Sequence, residues 1–230
     1  MRELDYIKNN LLALSSEIEE LARRAGREVT LVAVTKSGSD EELLALAEAG
    51  VTDIGENRPG ELARRGGLLR ERGFTPRLHE IGNLQRNKVK MIIESVSLIH
   101  SLDTLSLAEE IDKQAKKVGR TVPVLIEVNS AREEQKGGVL PEECEEFLTR
   151  VRSFENLSVR GLMTMGPVCE CAEQMRPYFR LVRELFDELN EKYGFEGGGI
   201  LSMGMSDSYA VAIEEGATLV RVGRMLFKKD

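Results

Sequence analysis

Eight short β-rich runs, separated by longer runs of helical periodicity, leave this chain very few folds. The β-rich runs fall at 30–35 (TLVAVT), 52–55 (TDIG), 77–82 (RLHEIG) and 97–100 (SLIH). The others fall at 122–129 (VPVLIEVN), 158–163 (SVRGLM), 199–203 (GILSM) and 218–222 (TLVRV). Helical patterns are predicted between them at 40–49, 57–72, 84–94, 104–118, 141–152, 172–193 and 206–215. An opening amphipathic helix over 3–24 carries Leu4, Ile7, Leu11, Leu14, Ile18 and Leu21 at helical spacing. Ser39 or Asp40 is a fitting N-cap, and Gly50 and Gly216 are fitting stops. Several β-rich runs are almost continuously apolar, which suits a parallel sheet buried on both faces. Alternation on this scale implies right-handed βαβ units, in an open doubly wound sheet or a closed barrel. The first run is followed by Lys36-Ser37-Gly38-Ser39, not by the G-x-G-x-x-G of a dinucleotide fold. The count of eight selects an α/β fold, a single (β/α)8 TIM barrel with an extra N-terminal helix, spanning 1–230 as one domain.

The chain has 230 residues and a net charge of −7, with 41% hydrophobic residues. That supports a large core and argues against a general nucleic-acid binder, which needs a basic surface for phosphates. No run approaches the roughly 18 uninterrupted apolar residues of a membrane helix. Met1-Arg2-Glu3-Leu4-Asp5 is too charged for a secretory signal, so a cytoplasmic protein is expected. Three Cys do not make a disulfide framework, and Cys169-Glu170-Cys171 with His79 and His100 does not match zinc spacing. The expected metal content is none.

In such a barrel the active site lies at the C-terminal ends of the strands. Barrels commonly bind phosphate in the loops after strands seven and eight. Here these read Ser202-Met203-Gly204-Met205-Ser206-Asp207 and Arg221-Val222-Gly223-Arg224. Glycines allow close backbone approach, hydroxyls and N–H groups donate, a helix start is expected at Ser206, and two guanidinium groups add charge. Ser206-Asp207 as a plain helix cap and Gly223 as a plain strand end are the simpler reading of each loop alone. Lys36 follows the first strand directly; by itself it reads as a solvated lysine at a strand end, but within a barrel its amine points into the mouth, where it can form a Schiff base with a carbonyl. A Schiff-base lysine beside a phosphate site leaves two chemistries. One is an aldolase acting on a sugar phosphate, and the other is a pyridoxal 5′-phosphate (PLP) protein.

Further residues stand in a recognisable order. They are Val34-Thr35-Lys36, Gly55-Glu56-Asn57 and the stretch from His79-Glu80-Ile81-Gly82-Asn83 through Leu84-Gln85-Arg86-Asn87-Lys88. Gly161-Leu162-Met163, the 202–207 loop and Val220-Arg221-Val222-Gly223 follow. Over nearly its whole length the chain resembles the PLP homeostasis protein family, which is similar to the N-terminal barrel of alanine racemase standing alone. The resemblance implies PLP held by Lys36 as an internal aldimine. It implies the phosphate in the loop with Ser202, Gly204, Met205 and Ser206, together with Gly223 and Arg224. Arg221 would face the pyridine nitrogen, Asn57 would line the ring or the Lys36 region, and His79 would lie against the ring. Asn57 as a helix cap and His79 as a core histidine are the plain alternatives. The chain departs from the family at Ser37 and Gly38, where Lys and Pro are frequent. It departs again at Glu80, where an aromatic is usual, and at Arg224, where a small hydroxyl residue is frequent.

An Arg at the ring nitrogen cannot accept or share a proton, so the ring is a weaker electron sink than beside an acid. Racemases of the related fold add a second base, a Tyr from a further β domain. The chain ends at Asp230, which leaves no room for that domain. The expectation is a PLP carrier in vitamin B6 homeostasis with little or no turnover. It would be a monomer whose partners are PLP and PLP-dependent apo-enzymes, not nucleic acid or membrane. A weak amino-acid racemase and a Schiff-base aldolase are the alternatives.

Overall fold

The computed structural model describes residues 4–229; Glu3, the expected first residue of the opening helix, lies outside the described residues, as do Met1, Arg2 and Asp230. Eight strands form one closed parallel barrel in chain order. They are β1 (Thr30–Val34), β2 (Asp53–Glu56), β3 (Arg77–Glu80), β4 (Leu98–Leu102), β5 (Val122–Glu127), β6 (Leu157–Met163), β7 (Ile200–Ser202) and β8 (Leu219–Val222). β8 closes on β1 through the pairs Leu31 with Val220 and Val32 with Arg221.

Side chains alternate along each strand, and the packing follows that period. Ala33, Ile54, Leu78, Ile99, Ile126, Leu162, Leu201 and Val220 belong to a large cluster shared with the helices. Val32, Leu98, Leu125, Met163 and Leu219 form a separate buried cluster inside the barrel. Both faces of the sheet are therefore covered, as a parallel sheet requires.

The outer ring holds α1 (Asp5–Ala25), α2 (Asp40–Glu48), α3 (Pro59–Glu71), α4 (Leu105–Lys117), α5 (Cys144–Val151), α6 (Arg176–Tyr193) and α7 (Tyr209–Glu214). Within the described residues no helix follows β8. α1 packs against both α7 and α2 and fills that eighth slot. Its buried stripe is Ile7, Leu11, Leu14, Ile18 and Ala22. The Asn10 amide donates to the carbonyls of Leu226 (3.3 Å) and Lys228 (2.9 Å), fastening the segment after β8.

Two expected helices change form. The 84–94 run gives only a 3-10 segment, Arg86–Met91. Buried Val89 and Ile92 lie three residues apart, which a three-residue turn aligns, and Asn87 with β-branched neighbours gives an α-helix little support. The 206–215 run becomes helical only at Tyr209, not at Ser206. The Ser208 and Tyr209 N–H groups both donate to the Met205 carbonyl at 2.9 Å, so Ser206 and Asp207 form a turn instead.

Candidate functional site

Lys36 leaves the barrel two residues after β1 and is exposed. The turn that carries it is held rigidly from below. Thr35 is fully buried, and its hydroxyl donates to Glu56 Oε1 at 2.6 Å. Arg65, from α3, bonds Glu56 Oε1 at 2.9 Å and the Gly38 carbonyl at 2.7 Å, and it also donates to the Thr35 carbonyl. A β-carbon on Gly38 would lie 2.3 Å from the Phe227 ring. Lys36 thus extends from a fixed base, and its amine makes no ion pair or hydrogen bond within the described residues.

Lys36 and Asn57 line one cleft of ≈330 Å³ with Ser37, Glu56, Arg58, Glu61 and Arg65. Arg58, not Asn57, is the N-cap of α3, so Asn57 is no helix cap and its exposed side chain is available to the cleft.

The loops after β7 and β8 pack tightly around their glycines. Gly204 has φ +91°, and a β-carbon there would lie 2.5 Å from that of Ala212. A β-carbon on Gly223 would lie 2.9 Å from the Val34 carbonyl oxygen. The Arg221 N–H donates to the Gly204 carbonyl at 3.0 Å, which links the two loops. The N–H groups of Gly204, Ser206, Asp207 and Arg224 meet no acceptor within the described residues, and the Gly223 N–H makes only a long 3.4 Å contact to Ser206 Oγ. Unpartnered N–H groups on two glycine turns form a nest suited to an anion. The Arg224 guanidinium pairs with the Asp207 carboxylate, both exposed. Met205 is exposed at the same rim.

Below the mouth lies a buried polar set that strand-by-strand reading does not assemble. Asp53 accepts from Arg77 Nε at 2.8 Å and Nη2 at 2.6 Å, and lies 2.9 Å from His79 Nε2. His79 Nδ1 lies 3.0 Å from His100 Nε2, and His100 Nδ1 lies 3.0 Å from Ser202 Oγ. Arg221 donates to Ser202 Oγ at 2.6 Å and to the Thr164 carbonyl at 3.0 Å. His79 is therefore a core histidine with both ring nitrogens engaged by the chain, and Ser202 turns its hydroxyl inward, away from the anion nest.

Burial acts on every charge here, and hydrogen bonds overcome it only at Asp53. By itself burial raises the Asp53 carboxyl, but hydrogen bonds from His79, Arg77 and Thr52 outweigh it and hold the group well below the usual carboxylate range. Burial first, with the nearby Arg221 charge adding, holds His100 well below its usual range. Burial lowers Arg221 to about 10, against the opposing charge of Glu127. Burial pushes Glu127 up to about 7, with Asp103 adding and Arg221 opposing.

Asp53, His100, Glu56 and Arg65 were not among the sequence candidates. The signal for His100 was its alternation with inward Leu98; what it meets across the barrel depends on β7, about a hundred residues later.

A closed barrel with a rigidly based lysine after its first strand and an anion nest on its last two loops defines a barrel of the alanine racemase N-terminal type. The alanine racemase N-terminal domain family matches residues 10–230, and the chain belongs to the pyridoxal phosphate homeostasis protein family within it. The Aquifex aeolicus pyridoxal phosphate homeostasis protein is 44% identical over 91% of this chain and 92% of its own. PipY of Synechococcus elongatus, solved with PLP bound, is 28% identical, covers 96% of this chain and 100% of its own, and superposes with a TM-score of 0.83. Alanine racemase of Clostridium difficile is 19% identical and shares the fold, with a TM-score of 0.77 over 99% of this chain and 60% of its own. No helix among the described residues is long and apolar enough to cross a membrane.

Proposed function

We propose that this chain binds PLP, holds it covalently on Lys36 as a Schiff base, and serves PLP homeostasis with little or no turnover. The observation that carries this reading is the free Lys36 amine on its clamped turn after β1, at the same end of the barrel as the anion nest that follows β7 and the neighbouring β8. The residues fit the group: Gly204 and Gly223 let the two loops close on Ala212 and Val34, where a β-carbon would clash, and the unpartnered N–H groups of these loops suit a phosphate. Bound PLP supplies an aldehyde that an amine can capture and a ring that can delocalise negative charge. Lys36 would condense with that aldehyde, releasing one water. Asn57 would line the cleft beside it. Gly204, Met205, Ser206, Gly223 and Arg224 would hold the phosphate, while Ser202 and His79 would support the ring from beneath.

Arg221 favours binding over turnover. It stays charged near neutral pH, and two of its five N–H groups are committed to Ser202 and Thr164. The rest can donate to a ring nitrogen without giving it a proton, which weakens the ring as an electron sink. We place the protein in the cytoplasm as a monomer in one barrel domain, exchanging PLP with apo-enzymes.

The test is the absorption spectrum of the purified protein after PLP addition, with borohydride trapping and peptide mapping. A visible band lost on reduction, with the adduct on Lys36, is expected. Lys36→Ala should lose the adduct while retaining non-covalent PLP. An adduct on another lysine, or no band, would overturn the assignment. Absence of steady solvent-deuterium exchange at Cα of alanine separates a carrier from a racemase.

A further inference from the structure

Asp53 opens β2 and Arg77 opens β3, so both lie at the barrel end away from the mouth. From there an unbroken line of contacts runs through His79 (β3), His100 (β4) and Ser202 (β7) to Arg221 (β8), each step 2.6–3.0 Å. We infer that Asp53, His79, His100 and Ser202 are positioning residues that act as a one-way hydrogen-bond chain, in which Asp53 sets the direction of every donor up to Arg221.

The direction follows from counting protons. An ionised Asp53 can only accept, so His79 Nε2 must carry hydrogen. Arg221 can only donate, so Ser202 Oγ accepts from it. His100 is wholly buried and neutral, with a single N–H to place. Among the contacts of this line the Ser202 hydroxyl proton has only His100 Nδ1 to go to, so the single N–H of His100 is on Nε2 and His79 Nδ1 accepts it. The bare Nδ1 of His100 then accepts the Ser202 hydroxyl proton. Every donor finds its acceptor, and all point from Arg221 toward Asp53. A protonated His79 would reverse both histidine links. Ser202 would then receive two donors, and its own proton would have no partner in the chain.

The charged groups facing this line are Arg77 and Asp53 at one end and Arg221 at the other, with Glu127 from β5 beside Arg221 and Asp103 beyond it. The line thus ties the guanidinium at the mouth to a carboxylate at the far end through two imidazoles and a hydroxyl. It fixes which N–H groups of Arg221 remain free for a ring nitrogen. This role rests on the PLP reading for its consequence, but not for its geometry.

Two measurements test it. Ring-nitrogen NMR of the PLP-free protein should show His79 and His100 each as the Nε2–H tautomer. Asp53→Asn can donate to His79 and should move both rings toward Nδ1–H; Ser202→Ala, a smaller change, should leave His79 as Nε2–H. In the PLP-loaded protein, both variants should shift the pH midpoint of the visible band by roughly 0.5 unit or more. An Nδ1–H tautomer of His100 in the unaltered protein, or unchanged tautomers and midpoint in both variants, would overturn the chain. Failure of the unaltered protein to develop a band would instead overturn PLP binding, and the tautomer measurement would stand apart from it.

Discussion

Glu80 is fully buried on the outer face of β3, where among the described residues Oε1 accepts only a 3.2 Å contact from the Gly82 N–H and Oε2 meets no donor. Its register partner on β2 is Glu56. Burial pushes the Glu80 carboxyl up to about 8; the Gly82 N–H works against this and the Glu56 charge adds to it. An acid with a raised folded pKa is stabilised when protonated. That contribution is complete below the unfolded value near 4.5 and is lost as pH rises toward 8. The melting temperature should therefore fall between pH 5 and pH 8, and Glu80→Gln should flatten the fall. The gain for the variant at pH 8 should be about 1–3 kcal/mol, the penalty of a buried polar group left unsatisfied. Thermal melts at the two pH values decide it, and parallel pH curves for both proteins would refute it. Glu80 was legible as an anomaly, an acid in a β-rich run. Its pairing with Glu56 required the register.

The turn that presents Lys36 runs straight into α2, whose first turn is closed by a reciprocal cap. The Glu42 N–H donates to Ser39 Oγ at 3.2 Å, and the Ser39 N–H donates to Glu42 Oε2 at 2.7 Å. Ser39→Ala removes one half of this box and should cost ~1 kcal/mol. That corresponds to a fall of about 2–4 °C in melting temperature for a chain of this size, read by calorimetry. Among elements, this cap was legible to within one residue, Ser39 or Asp40, and Ser followed three residues later by Glu is the local signal that fits Ser39. The start of α7 was not. Ser206 looks like a cap by residue type, yet Met205 and Ser208 close a turn across it, with Met205 N–H donating to Ser208 Oγ at 3.2 Å. The turn leaves the 206–207 N–H groups free, a non-local demand that helical periodicity cannot carry. The same applies to Arg86–Met91, where apolar spacing allowed two kinds of turn and packing against α3 and α4 accompanies the tighter one.

Eight strands and seven intervening helical runs identified the barrel, because parallel strands need long crossovers and crossovers need one hand. The sequence left unexplained why a helix should precede the first strand. In the closed ring that helix is the missing eighth wall. Leu14 is 2% exposed at the middle of its buried stripe. Leu14→Ala should open a cavity between α1 and its neighbours and cost about 2–5 kcal/mol, or roughly 5–15 °C in melting temperature. A surface helix merely resting on a finished barrel would fray first and give two transitions. A wall of the barrel should melt with it in one. PLP at a hundredfold excess over its dissociation constant should add about 2.7 kcal/mol of stability. The clamp on Lys36 and the loops after β7 and β8 do not involve Leu14, so that increment should be the same in Leu14→Ala as in the unaltered chain. A smaller increment in the variant would mean that α1, through Asn10 and the 226–228 segment, also shapes the Gly223 turn.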